Sequence, residues 1–104
     1  MAFKIIVTAA VVAAITVNVA TAQSVQRGLT IARANCARCH SIDKYSESSL
    51  KIAPPFRTLH LRYPVETLQE ALAEGIVTGH PTMPEFRLDP DQIGDLIAFL
   101  KSLE

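Results

Sequence analysis

Five consecutive residues, Cys36-Ala37-Arg38-Cys39-His40, hold the only two thiols of this 104-residue chain and an imidazole directly after the second. A porphyrin joined covalently to a polypeptide needs two thiols to add across its vinyl groups and an imidazole to bind its iron. Cysteines three positions apart on a helical turn, followed at once by histidine, bring all three groups to one haem edge. Cys36 and Cys39 are therefore the candidate thioether residues, and His40 the candidate proximal iron ligand. Three plainer readings fit less well. A redox dithiol closes a strand in a βαβ unit, and no strand-like alternation precedes Cys36. A structural zinc site takes four protein ligands, and His60 and His80 are too far apart in sequence to complete one. A disulfide across two residues leaves His40 without a role.

An iron with one histidine has a further axial position, and its occupant separates electron transfer from chemistry on a substrate. Met83 is the leading candidate. It is one of two methionines, the other being Met1, and stands in a loop stiffened by Pro81 and Pro84. A thioether is a soft, neutral ligand that raises the haem potential. His80 is the competing ligand, and its use would lower that potential. His60 reads as a surface or propionate-side residue. Pro54 or Pro55 can offer a backbone carbonyl to the second nitrogen of His40, fixing its tautomer.

The elements that must position these groups follow from periodicity. Ser24 is a natural N-cap for a first helix running to about Cys36, with Val25, Leu29, Ala32 and Cys36 on one apolar face. Residues 41–50 are polar and loop-like, and Ala53-Pro54-Pro55-Phe56 blocks helix formation. A second helix is predicted over Val65 to Glu74, between Pro64 and Gly75. The last helix has the clearest start: Asp89 as cap, Pro90 in the first position and Gln92 as capping-box partner. Ile93, Leu96, Ile97, Leu100 and Leu103 form its core face, with Phe99 at one edge. The expected class is all-α, with three main helices around one covalent haem.

The amino end belongs to export. Lys4 is followed by an apolar run, Ile5 to Val19, and then by Ala20-Thr21-Ala22, a small-x-small cleavage pattern. The run falls short of the ~20 residues of a membrane span, and Thr8, Thr16 and Asn18 dilute it. Residues 1–22 are thus expected to be a signal peptide cleaved after Ala22. That leaves 23–104 as one domain in the periplasm, with no stable membrane insertion. A domain of this size is marginal on its own core, and the haem is its expected staple.

Formal charge is zero overall but divided. Residues 23–62 carry seven bases against two acids, and residues 63–104 two bases against eight acids. Such asymmetry can orient a protein toward a charged partner. It does not point to nucleic acid, because no aromatic run is interleaved with the bases. Arg33, Arg38, Lys44 and Lys51 are candidates for a basic rim near the thioether edge.

With these residues in place, the chain resembles a small bacterial class I cytochrome c over essentially the whole of 23–104. The likeness rests on four parts in order: the Cys36–His40 string, the prolines at 54 and 55, the methionine loop at 80–84, and Asp-Leu-Ile-Ala-Phe-Leu at 95–100. In that family the terminal helices cross at a glycine eight residues before the first haem cysteine. Gly28 stands there, and Leu96 and Phe99 match its usual partners. The aromatic often found four residues after that glycine is replaced by Ala32. The resemblance implies a periplasmic single-electron carrier, not an enzyme, with one haem c, His40 and Met83 as axial ligands, and transient redox protein partners. A haem subunit of one oxidoreductase complex and a gas-binding or enzymatic haem protein are the alternatives.

Overall fold

A computed structural model of the chain describes residues 2–14, 23–75, 83 and 87–104. Residues 2–14 form no regular element and are exposed. The proposed cleavage segment 20–22, together with His80, Pro81 and Pro84, lies outside the described residues. Regular structure among the described residues is entirely helical: α1 (Val25–Asn35), a 3-10 helix (Phe56–Leu61), a 3-10 turn (Val65–Thr67) leading into α2 (Leu68–Glu74), and α3 (Pro90–Ser102). None of these helices is long and apolar enough to cross a membrane.

The caps read from the sequence are in place. The Ser24 hydroxyl accepts the Arg27 backbone N–H at 3.1 Å, satisfying one of the donors that a helix start leaves free. At the start of α3, the Gln92 side chain accepts the Asp89 N–H at 3.0 Å, with Pro90 in the first turn. The predicted second helix keeps its outer bounds, but its first turn is wound as 3-10. It stops at Gly75, whose φ of 98° is a conformation that side-chain-bearing residues rarely adopt. The sequence predicts no element over Phe56–Leu61, where a 3-10 helix forms. Pro54 and Pro55 prevent an α-helix from starting upstream, yet three-residue turns can form once the prolines are passed.

The helix pair α1 and α3 is the centre of the fold. Gly28 faces the backbone of Asp95 and the side chain of Phe99. A Cβ built at Gly28 would overlap the Asp95 carbonyl oxygen and stand 2.6 Å from Phe99 Cβ. Ala32, one turn on, is fully buried, so the small side chain in the usual aromatic place is closed over by its neighbours. Cys36, Phe56, Leu59, Val65, Leu72, Ile93, Leu96, Ile97, Phe99 and Leu100 complete one core. Val25 departs from the predicted apolar face. It occupies the first helical position, beyond the crossing, and is 46% exposed.

A polar clasp fixes the same crossing. Asp95 is buried in α3, and its carboxylate accepts the Ser24 N–H at 2.7 Å and the Arg27 Nε–H at 2.9 Å. The Arg27 guanidinium beside Asp95, with the Ser24 N–H, holds this carboxyl below its usual range. A buried carboxylate without such donors would be costly, so the clasp and the packing depend on each other.

Candidate haem-attachment site

Cys36 caps α1, its N–H donating to Ala32 O at 2.8 Å. The chain then turns tightly: the N–H groups of Cys39 and His40 both donate to Cys36 O, at 3.2 and 3.0 Å. One backbone carbonyl thus gathers the three predicted residues onto one turn. Both cysteines are free thiols, Cys36 buried and Cys39 half-buried.

The histidine is fixed from two sides. His40 Nδ1 lies 2.8 Å from Pro54 O, which settles which of the two prolines takes this part. The carbonyl only accepts, so Nδ1 carries the proton and Nε2 is left with its lone pair for a metal. Phe56 packs on the imidazole with ring centroids 4.8 Å apart and planes tilted by 40°. Phe56 is held in turn by its N–H, which donates to Ser41 O at 2.9 Å. The proline segment therefore does more than stop a helix. Its carbonyl and the residue after it orient the ring.

Burial separates Cys36 from the activated cysteine of a redox dithiol. Oxidoreductase Cys-x-x-Cys pairs activate one cysteine by lowering its pKa. Burial pushes the Cys36 thiol the other way, up to about 11. A protonated, shielded thiol is a poor partner for disulfide exchange. Nor do the described residues contain a group of three or more His, Cys, Asp and Glu arranged to hold a bare metal ion. The donor set fits a haem: two thiols and one oriented imidazole on a single turn, beside an apolar core.

Met83 is half-buried. It belongs to the stretch between Gly75 and Leu88, whose base is closed where the Leu88 N–H donates to Leu72 O at 3.2 Å. Leu72 is buried in the core, so the methionine segment leaves and rejoins the fold beside it. His60 is half-buried in the 3-10 helix, where its Nδ1 has no hydrogen-bond partner among the described residues. It lines a shallow surface groove with Tyr63, Glu66 and Glu104.

Sequence reasoning missed Arg57. Its Nη1 donates to Ser46 O at 2.6 Å and to Ser41 Oγ at 3.3 Å, tying the 41–48 loop to the segment that holds His40. Within that loop Asp43 accepts from the N–H groups of Tyr45 and Ser46, at 2.7 and 2.6 Å, and from Ser46 Oγ at 2.6 Å. These donors hold the Asp43 carboxyl at about 2, against an ordinary value of 3.8. A carboxyl lowered on folding contributes stability above its unfolded value and loses it as pH falls through the folded one. The Asp43 carboxyl carbon should titrate by NMR with a midpoint near 2, the turn opening only below that. A midpoint near 4 would mean that the turn does not form.

Comparison with known proteins agrees with this geometry. The family model described as cytochrome c matches residues 25–104, beginning at the first residue of α1. A curated protein of Synechocystis sp. (strain ATCC 27184 / PCC 6803 / Kazusa), described as cytochrome c-553-like, is 35% identical over 80 residues. That alignment covers 74% of this chain and 67% of the relative.

Proposed function

The chain belongs to the cytochrome c family, electron-transfer proteins with covalent haem c rather than enzymes, and from that premise we propose an exported, periplasmic single-electron carrier with His40 and Met83 as axial ligands. When bound, the haem supplies the iron centre that accepts and returns one electron. Cys36 and Cys39 would hold it through two thioether bonds. His40 would offer Nε2 to the iron, with Pro54 O accepting from Nδ1–H to orient the ring and make it a stronger donor. Cys36, Phe56 and Leu96 belong to one apolar core beside the attachment turn, which would help to exclude water. Met83 would complete the ligand set.

The observation that carries this reading is the His40 imidazole, held with Nδ1 2.8 Å from Pro54 O on the same turn as Cys36 and Cys39. For the location, support comes from the leader. Residues 2–14 stand outside the fold, and the family match starts only three residues after Ala22. We assign 1–22 to a cleaved signal and 23–104 to the haem domain.

The test is chemical. Protein expressed with its own leader should keep its pigment through acid-acetone extraction and show a mass of residues 23–104 plus one haem. Cys36→Ser with Cys39→Ser should release all pigment to the solvent. Extraction of the wild-type pigment, with both thiols titratable, would be the contrary result.

A further inference from the structure

Gln23 is seated on the last helix before the first one begins. A Cβ built at Gly94 of α3 would stand 3.0 Å from Gln23 Nε2, 3.2 Å from its Cγ and 3.4 Å from its Cδ. Gly94 is buried, and its lack of a side chain lets Gln23 lie along the helix with its outer side in solvent. The next residue is tied to the same helix, the Ser24 N–H donating to Asp95 Oδ1 at 2.7 Å. The Gln23 carboxamide itself makes no hydrogen bond among the described residues.

Cleavage after Ala22 would give Gln23 a free α-amine, in reach of its own side-chain carbonyl carbon through an unstrained five-membered ring. Nothing nearby is free to hold that amine as an ammonium. Both Asp95 oxygens are occupied, Oδ1 by Ser24 and Arg27 and Oδ2 by Arg27. An ammonium at residue 23 would also stand just ahead of the Ser24 cap, at the positive end of the α1 dipole, where a cation is disfavoured. An α-amine is ordinarily in part neutral near pH 7, and the neutral form is the nucleophile.

We propose that Gln23 is a modification site, its α-amine closing on its own carboxamide to leave a pyroglutamyl ring over Gly94 as the first residue of the mature domain. This rests on the cleavage assigned after Ala22. The α-nitrogen bonds to Cδ, the Cδ–Nε2 bond breaks, and one amine proton leaves with Nε2 as ammonia. No electron is transferred and no co-reactant is consumed. The ring carries no charge against α1 and offers no free amine to an aminopeptidase, while Asp95 keeps Ser24 and Arg27.

The test uses holoprotein expressed with its own leader and taken from freshly broken cells. Its mass should be that of residues 23–104 plus one haem, less one ammonia, and stepwise sequencing should find no free amino end. The tryptic peptide of residues 23–27 should show the same loss and be opened by pyroglutamyl aminopeptidase. Folded holoprotein should resist that enzyme, because the N–H of the peptide to be cut is bonded to Asp95. Gln23→Glu should be readable from its first residue, with no loss of ammonia. Glutamine in the first sequencing cycle of wild type, or a loss that appears only on storage, would overturn the proposal. Rapid opening of the folded protein would overturn the seat on Gly94. Failure of the cleavage reading looks different: the mass would differ by whole residues, and the proposal would fall with it.

Discussion

Gly28→Ala should destabilise the fold severely, although alanine is the better helix former. In a helix interior alanine is favoured over glycine by about 1 kcal/mol. Against that stands a methyl group placed on the Asp95 carbonyl oxygen and 2.6 Å from Phe99 Cβ. Phe99 cannot retreat, because it is buried in the core, and the carbonyl belongs to the backbone of α3. The helices must separate. Separation also draws Asp95 from Ser24 and Arg27, leaving a buried carboxylate short of donors. Overpacking alone costs about 1 to 3 kcal/mol, and the broken clasp brings the net loss to about 3 kcal/mol or more. In a domain this small that is a large share of the stability. Thermal melts of the holoprotein followed by far-ultraviolet circular dichroism check it. An unchanged midpoint would mean that the helices do not cross at Gly28.

The second large effect belongs to Met83. Met83→Ala should abolish the weak far-red sulfur-to-iron band of the oxidised protein. It should also lower the reduction potential on the order of a hundred millivolts or more, within the span of about 0.8 V that axial ligands command. Carbon monoxide should then bind the reduced protein rapidly, which it should not do in wild type. Helical content should persist, because Met83 is half-buried and lies outside the helices and the core cluster. A wild-type spectrum lacking that band and typical of paired imidazoles would instead give the position to His80.

These two residues also mark what a sequence can yield. Gly28 was legible because it stands eight residues before Cys36, where the family resemblance places the glycine at which the terminal helices cross. Ser24, Asp89 and Gln92 were legible because capping is local chemistry, complete within four residues. Pro54 against Pro55 was not, since the choice of carbonyl depends on how residues 36–40 and 54–56 meet in space. Arg57 left no signal either. A lone arginine carries no periodicity, and its carbonyl partner at Ser46 is independent of side-chain identity. The sequence predicts α for the opening turn of the second helix, which winds as 3-10, a difference of one hydrogen-bond step that propensity does not resolve.

The bond between Ser24 and Asp95 joins residues 71 positions apart and fastens the first helix to the last. If the chain is exported amino end first, as proposed, Cys36 to His40 would emerge well before α3. During that interval α1 would lack the helix that packs on Gly28 and supplies the Asp95 acceptor. The order of the elements would then set a schedule, with the attachment residues delivered first and the crossing that completes the core made last.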